Sequence, residues 1–240
     1  MKQRLDIFLV EKGLAPTRSR AQAFIIAGSV IVNGEVCYQS SDLIKQGDIV
    51  ELRNLNPYVS RGGLKLQSVL DGLNIKVDGF VCLDIGASTG GFTDCLLQRG
   101  AARIYCIDVG YGQLHYKLRQ DKRVVSFENV NFRYFDTSQL KDEIDFVVID
   151  VSFISLDKIL KGAYKAVKKN GFVLAMIKPQ FELEAKSVKK GVVRDEVLRK
   201  KAIDKIKTIS AELGFIILAE QDSGLKGPKG NLEHFIYLKK

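Results

Sequence analysis

The sequence contains no run of apolar residues that approaches the roughly 18 needed to cross a membrane as a helix. Its first residues also lack the apolar core of a secretory signal peptide. Both absences favour a cytoplasmic protein without a membrane span.

Cysteine and histidine are scarce, with 4 and 2 residues in a chain of 240. The cysteines show no Cys-x-x-Cys spacing, and Cys82 and Cys106 fall inside predicted core strands. We therefore expect reduced thiols that form neither disulfides nor a zinc site. No cluster of histidines or carboxylates has the spacing of metal ligands, so we predict that the protein holds no metal.

The chain is rich in apolar and basic residues. Its hydrophobic fraction of 46% is enough for a globular core, and 240 residues accommodate one substantial domain and a small one. The formal net charge is +9. Such a charge favours an anionic partner if the basic residues cluster, and serves only solubility if they are scattered.

Residues 81–91 carry the clearest signal of a binding site. An apolar run at 81–85 indicates a strand, and residues 92–99 indicate a helix that ends at Gly100. The glycine turn between them leaves the main chain and a helix N-terminus open to a ligand. We therefore predict that a small molecule binds at this turn.

Several ligands compete for the turn. A dinucleotide fingerprint requires glycine where Ser88 stands, and a P-loop requires a lysine after its last glycine, so both phosphate-binding patterns fit poorly. Residues 86–90 also match the Gly-x-Ser-x-Gly nucleophile elbow of a hydrolase, with His234 downstream as its histidine. Against this alternative, too few strands precede Ser88, and His234 lies in a predicted strand instead of a mobile loop.

A nucleoside-containing ligand without a pyrophosphate fits better. A second apolar run at 103–107 ends in Asp108, close to the distance of about 20 residues at which a carboxylate meets a ribose in doubly wound folds. S-adenosylmethionine meets these requirements, with its ribose at Asp108, its amino acid part over the glycine turn and its adenine near Asn131. An alternative role for Asn131 is to cap a turn.

The rest of residues 58–240 alternates strands and helices, which predicts an α/β fold with a Rossmann-like, doubly wound sheet. Ligands bind outside the carboxyl ends of such strands, where Asp108, Asp150 and Lys178 all fall. Lys65 lies on a helix capped by Ser60, and from that helix alone we expect it to be exposed. Predicted strands lie at 124–127, 145–150, 172–177, 215–219 and 233–238, and predicted helices at 60–73, 114–118, 156–167 and 195–213.

Residues 1–57 are predicted to form a separate α+β module. Two short helices precede short strands joined by Asn33 and Gly34, a strong type I′ hairpin signal, and a polar linker follows at 53–57. Basic residues of the helices lie off the apolar face, which on its own indicates a solvated surface. The segments Arg-Leu-Asp-Ile-Phe-Leu, Ser-Arg-Ala-Gln-Ala and Gly-Ser-Val-Ile-Val-Asn-Gly nevertheless resemble the S4 RNA-binding domain. The resemblance implies that phosphates of structured RNA are contacted by Arg4, Arg18 and Arg20.

Ordered motifs along the whole chain resemble the TlyA family. They include Ser-Arg-Gly-Gly-Leu-Lys at 60–65, Leu-Asp-Ile-Gly-Ala-Ser-Thr-Gly-Gly at 83–91, Ile-Asp-Val-Ser-Phe at 149–153, Ile-Lys-Pro-Gln-Phe-Glu at 177–182 and Gly-Asn-Leu-Glu at 230–233. Members join an S4 domain to an FtsJ-like methyltransferase domain that modifies ribose 2′-hydroxyls of ribosomal RNA, and some are called haemolysins.

The resemblance implies an S4-like domain at 1–57 and an FtsJ-like, S-adenosylmethionine-dependent domain at 58–240. It implies methylation of cytidine in 16S or 23S ribosomal RNA, as free RNA or within ribosomal subunits. The implied catalytic tetrad is Lys65, Asp150, Lys178 and Glu233. The implied cofactor residues are Asp84, Gly86, Ala87, Ser88, Thr89, Gly90, Gly91, Asp108, Glu128 and Asn131.

The chemistry of methyl transfer gives the tetrad a purpose. A ribose hydroxyl must be aligned with the methyl group and must lose a proton, and Lys178 is our choice to accept that proton or to steer the hydroxyl. The charge of Lys65 would lower the pKa of Lys178, whereas Asp150 and Glu233 would raise it. Two other classes stay open, a haemolysin-like lytic protein and a non-catalytic RNA-binding protein, although the latter leaves Lys178 and the glycine turn without a purpose.

Overall fold

The computed structural model describes residues 2–26, 28–37, 39–53, 56–184, 188, 191–227 and 229–240. The chain divides into two compact units, Met1–Pro57 and Tyr58–Lys240. Of the linker predicted at 53–57, Asn54 and Leu55 lie outside the described residues.

The first unit packs two helices against short strands. Its core contains Leu5, Leu9, Ile25 and Val30, all fully buried. Asn33 and Gly34 have φ angles of 51° and 87°, and Val32 pairs with Glu35, so the predicted type I′ hairpin is confirmed. The elements are β1 (Gln3–Arg4), α1 (Leu5–Glu11), α2 (Arg18–Ile26), β2 (Val30–Val32), β3 (Glu35–Cys37), β4 (Leu43–Ile44) and β5 (Val50–Leu52).

The second unit alternates strands and helices as the sequence predicts. Its strands are β6 (Val81–Ile85), β7 (Arg103–Ile107), β8 (Val124–Phe127), β9 (Ile144–Ile149), β10 (Val167–Ile177), β11 (Ile216–Asp222) and β12 (His234–Lys239). Its helices are α3 (Arg61–Gly72), α4 (Gly91–Gln98), α5 (Tyr116–Arg119), α6 (Asp157–Ala166), α7 (Pro179–Glu182) and α8 (Glu196–Glu212). The largest difference from the prediction is β10, which begins at Val167 instead of residue 172 and has a register shift between Val167 and Phe172.

The strands form one sheet in the order β11-β12-β10-β9-β6-β7-β8. Neighbours from β10 to β8 are parallel, whereas β12 runs antiparallel to both β10 and β11. The predicted doubly wound α/β sheet is therefore confirmed. Because His234 pairs with Ile177, the start of β12 lies beside the end of β10.

Helices cover both faces of this sheet. On β9, Phe146 and Val148 join one core with residues of α3 and α4, whereas Val147 and Ile149 join the other with residues of α6 and α8. This alternation is what a strand buried on both faces requires. None of the described helices is long and apolar enough to span a membrane.

Two expectations for α3 differ from the structure. Ser60 precedes the helix as predicted but forms no capping hydrogen bond, because its hydroxyl lies against Gly62 and Gly91. The expectation that Lys65 is exposed is wrong, since only 7% of the residue is accessible. Its burial follows from packing between α3 and the neighbouring strands, which the helix pattern alone does not contain.

Candidate active site

The glycine turn after β6 requires glycine at defined positions. Gly86 and Gly90 have φ angles of +86° and +91°, in the left-handed region that favours glycine. A Cβ atom on Gly86 would lie 2.6 Å from the main-chain oxygen of Asp150, so a side chain there would collide with the end of β9. The turn therefore packs closely on the end of β9, and Gly86 also lines cavities at the carboxyl ends of the strands.

Asp84 lies beneath this turn and is fully buried. Its Oδ2 accepts hydrogen bonds from the main-chain N of Thr93 at 3.0 Å and from Thr93 Oγ1 at 2.6 Å. Burial raises the pKa of this carboxyl group to about 7, although the bonds to Thr93 oppose the shift. Asp84 therefore fastens the first turn of α4 and does not line the cavities described below.

A cavity of about 530 Å³, here called the cofactor cavity, opens between the turn and the ends of β7 and β9. Its wall includes Gly86, Ser88, Asp108 and Asn131. The Asp108 carboxylate accepts hydrogen bonds from the main-chain N–H groups of Ser88 (2.8 Å) and Gly110 (2.7 Å), which fix its position. Asn131 Oδ1 caps the next turn by accepting from Arg133 N at 3.1 Å, which confirms the capping role, and its place in the cavity wall leaves the contact with adenine as a prediction.

Other predicted cofactor residues lie outside the cofactor cavity. Glu128 accepts hydrogen bonds from Arg119 at 2.5 Å and from the main-chain N of Gly112 at 3.1 Å, and it borders only a small void behind Asp108. Glu128 therefore stabilises the segment after β7 through these two hydrogen bonds. Ala87, Thr89 and Gly91 line a different cavity, described next.

Two further cavities of about 430 Å³ each adjoin the first. The turn-side cavity lies between the glycine turn and the start of α3 and contains Lys65 and Lys178. The β12-side cavity contains the same two lysines together with Glu233 and Asn231. Asp150 and Ser152 line these two cavities and the cofactor cavity, so all three meet at the end of β9.

The four residues of the predicted tetrad lie together as two ion pairs. Lys178 Nζ is 2.6 Å from Asp150 Oδ1, and Lys65 Nζ is 2.5 Å from Glu233 Oε2. Adjacent parallel strands bring Asp150 and Lys178 together, while the antiparallel insertion of β12 brings in Glu233. The side chains of Lys65 and Lys178 are only 9% and 10% exposed, which strengthens these charge contacts.

Ser152 and Phe153 border the tetrad but were not predicted as site residues. Ser152 Oγ accepts a hydrogen bond from Lys178 Nζ at 2.9 Å. Phe153 is 91% exposed, has a φ angle of 63° and contacts the ring of Phe181 at a centroid distance of 5.2 Å. A strained, exposed aromatic residue beside a cluster of buried charged groups is typical of a binding surface. Both residues belong to the motif at 149–153 at the end of β9, and this motif is the sequence signal that could have marked them as site residues.

The histidine proposed for a hydrolase triad belongs to a different cluster. His234 Nδ1 is 2.6 Å from Asp222 Oδ1, and its other ring nitrogen is 3.7 Å from Glu220. Within the described residues His234 forms no hydrogen bond with Ser88. The nucleophile-elbow interpretation therefore has no triad to support it.

In the first unit, the structure brings Arg4 and Arg18 together on one carboxylate. Asp6 is fully buried and accepts hydrogen bonds from Arg4 (3.0 and 3.1 Å), Arg18 (2.9 Å) and Gln22 (3.0 Å). Arg4 and these other donors hold the pKa of Asp6 well below its ordinary value. The arginine side chains remain 40% and 55% exposed. Arg20 lies elsewhere, with its guanidinium 5.0 Å from the centroid of the Phe24 ring.

Replacing Asp6 with asparagine is expected to destabilise the first unit by about 1–3 kcal/mol near neutral pH, because its charged hydrogen bonds are lost. Since the folded-state pKa is lowered, this stabilisation is present above the ordinary aspartate pKa of about 3.9 and is lost as the pH falls below it. The free energy of unfolding of the first unit can be measured by hydrogen exchange of its amides. The difference between the wild type and Asp6→Asn should be largest at pH 7 and should become smaller toward pH 3. Asp42→Asn serves as a control because Asp42 forms no ion pair among the described residues; an equal effect there would contradict the assignment.

Each of the two units matches a different protein family. Residues 58–240 match the FtsJ-like methyltransferase family, and residues 3–50 match the S4 domain. Hemolysin A of Brachyspira hyodysenteriae is 44% identical over 238 residues, covering 97% of this chain and 99% of that protein. The 16S/23S rRNA (cytidine-2′-O)-methyltransferase TlyA of Mycobacterium tuberculosis is 38% identical over 241 residues, covering 99% of this chain and 90% of that protein. A solved structure from Streptococcus thermophilus that carries the name hemolysin has a TM-score of 0.78 at 40% identity, with coverage of 100% and 88%.

The second unit has the fold of S-adenosylmethionine-dependent methyltransferases. A solved member from Mesorhizobium loti shares this fold with a TM-score of 0.55 at 11% identity, covering 73% of this chain and 98% of that one. Taken with the full-length relatives, the chain belongs to the FtsJ-like methyltransferase family and carries an S4 domain.

Proposed function

We propose that the protein transfers the methyl group of S-adenosylmethionine to the ribose 2′-hydroxyl of a cytidine in 16S or 23S ribosomal RNA. The observation that carries this proposal is the Asp150–Lys178 ion pair at the place where the cofactor cavity meets the two tetrad cavities. The full-length relative named TlyA supports the choice of RNA, position and base. A ribosomal substrate also implies a cytoplasmic protein.

The residues of the cofactor cavity fit S-adenosylmethionine. Asp108 offers carboxylate oxygens to ribose hydroxyls, and Asn131 offers an amide to an adenine edge. The turn at Gly86 lines both the cofactor cavity and the turn-side cavity, and the amino acid part of the cofactor would lie along it. When bound, the cofactor supplies a methyl group on a positively charged sulfur that accepts attack by an oxygen.

Within the tetrad, Lys178 acts on the attacking hydroxyl. Its ammonium group contacts Asp150 and Ser152. These two contacts fix the direction of the third N–H bond of Lys178. Transfer of one ammonium proton from Lys178 to Asp150 first leaves a neutral amine, and that amine takes up the proton of the ribose hydroxyl as its oxygen attacks. The Lys65–Glu233 ion pair lies next to this centre in the β12-side cavity, and the side chain of Glu233 is only 2% exposed.

The first unit supplies RNA affinity in this proposal. Arg4 and Arg18 share the Asp6 carboxylate and present exposed guanidinium groups on one surface, which suits contacts with RNA phosphates. Arg20 adds a further cation on α2. Such contacts position the RNA without reading its bases, and the second unit then selects the nucleotide.

The direct test is transfer of radiolabelled methyl groups from S-adenosylmethionine to ribosomal subunits purified from a strain that lacks this protein. We expect label on 2′-hydroxyls, recognised because the neighbouring phosphodiester resists alkaline cleavage. Arg18→Gln should weaken RNA binding while leaving cofactor binding intact. Cofactor binding without any labelled subunit or free RNA would contradict the proposed substrate, and absence of cofactor binding would contradict the interpretation of the glycine turn.

Gly86→Ala is expected to abolish measurable cofactor binding, because the new Cβ atom would push against Asp150 in the wall of the cofactor cavity. The positive φ angle adds a strain of about 1–3 kcal/mol. Calorimetric titration with S-adenosylmethionine and thermal unfolding would separate the two effects. Gly79→Ala is the matched control, since Gly79 has a φ angle of +73° and open space around it. If both variants lose the cofactor equally, general strain and not the collision is responsible.

A further inference from the structure

Basic side chains that pair with no carboxylate of the described residues surround the openings of the tetrad cavities. Arg61 and Lys226 line the turn-side cavity, and Lys229 lines the β12-side cavity. All three residues are exposed, and in the described ranges none of them forms an ion pair. They differ in this from the lysines of the tetrad, each of which is neutralised by a carboxylate.

Contacts within the second unit fix the positions of these basic residues. The Arg61 guanidinium donates a hydrogen bond to the main-chain oxygen of Lys226 at 3.2 Å, so the two cations occupy one side of the opening. Lys229 extends over Gly191, where an added Cβ atom would lie 3.2 Å from its Nζ. Gly227 lies between the two lysines in sequence, and a Cβ atom there would lie 2.7 Å from Glu233 Oε1. Gly227 therefore packs against Glu233 of the tetrad, directly after Lys226 in the chain.

The charges point to the backbone of the RNA. Tetrad carboxylates already compensate the inner lysines, so Arg61, Lys226 and Lys229 leave a net positive rim on both sides of the reacting centre. Every internal ribose in RNA has a phosphate on each side, and phosphate contacts fix the register of a nucleic acid on a protein. We infer that Arg61 and Lys226 bind the phosphate on one side of the target ribose and that Lys229 binds the phosphate on the other. This inference rests on the proposed function and assigns the RNA-backbone contacts of the second unit.

The test compares Lys226→Gln, Lys229→Gln and Arg61→Gln in the full-length protein. Binding to unmethylated 16S and 23S ribosomal RNA, prepared from a strain lacking this protein, is measured over a series of salt concentrations. Each lost phosphate contact should lower the slope of log binding constant against log salt by about 0.7–0.9. The KM for RNA should rise in each variant, while the affinity for S-adenosylmethionine stays at the wild-type value. Lys200→Gln, an exposed lysine on α8, is the matched control and should change none of these quantities.

The outcomes separate this inference from the proposed function. If the wild type methylates RNA but the salt slope and KM of the variants stay unchanged, the phosphate assignment is wrong and the proposed function stands. If Arg61→Gln weakens cofactor affinity and leaves the salt slope unchanged, its guanidinium belongs to the cofactor site, which also overturns the assignment. If the wild type itself labels no RNA, it is the proposed function that fails.

Discussion

Replacing Lys178 with alanine is expected to lower the rate of methyl transfer by about 10²- to 10⁴-fold, the usual contribution of a positioned proton-transfer group. In the proposed function this residue holds the hydroxyl at the meeting point of the cavities, and its ammonium group contacts both Asp150 and Ser152. Single-turnover methylation at saturating RNA and cofactor would measure the chemical step. Cofactor affinity should change little, because Lys178 does not line the cofactor cavity.

The same two strands provide a control for the Lys178 variant. Lys168, near the start of β10, forms an ion pair with Asp145 on β9, just as Lys178 pairs with Asp150 at the other end of these strands. Lys168→Ala removes a more exposed ion pair between the same two strands, at the edge remote from the cavities, and should leave methyl transfer near the wild-type rate. Equal losses in the two variants would show that the sheet, and not the site, had been damaged.

Glu233→Ala is expected to destabilise the second unit by about 3–5 kcal/mol, because it leaves the buried charge of Lys65 without its partner. Both side chains are almost inaccessible, with exposed fractions of 9% for Lys65 and 2% for Glu233. The free energy of unfolding from urea denaturation measures the loss. Replacing both partners, as Lys65→Met with Glu233→Leu, should recover most of it, since an apolar pair of similar volume needs no charge compensation.

A surface ion pair gives the comparison for Glu233. Lys207 and Glu220 are 3.0 Å apart, but their side chains are 34% and 41% exposed. Glu220→Ala should therefore change stability by less than about 1 kcal/mol. A loss in Glu233→Ala no larger than this would mean that water or another group compensates Lys65, contrary to the burial in the structure.

Local sequence patterns were sufficient to predict features that depend on a single turn or on the ends of adjacent strands. The turn at Asn33 and Gly34 could be predicted because few residues other than glycine and asparagine accept two consecutive positive φ angles. The proximity of Asp150 and Lys178 followed from a general property of parallel sheets, whose strand ends meet at one edge. In both cases the deciding interaction lies within a turn or between predictable neighbours.

The rest of the site depends on contacts between distant segments. Lys65 and Glu233 are 168 positions apart, and only the insertion of β12 between β10 and β11 brings them together. Asp84 belongs to the glycine motif, yet the structure places it below the turn, where it bonds to Thr93. The sharing of Asp6 by Arg4 and Arg18 likewise requires the packing of α1 on α2, which the basic pattern of α2 does not contain.

The common wall at Asp150 and Ser152 also matters for inhibitor design. Because the cofactor cavity and the tetrad cavities meet there, the proposed function implies that a compound joining an adenosine to a second nucleoside through a short linker would occupy both sides at once. Tethering makes the second binding event intramolecular, so the affinity of such a compound exceeds that of either half. The best linker length would then report the separation of methyl donor and acceptor sites in the working enzyme.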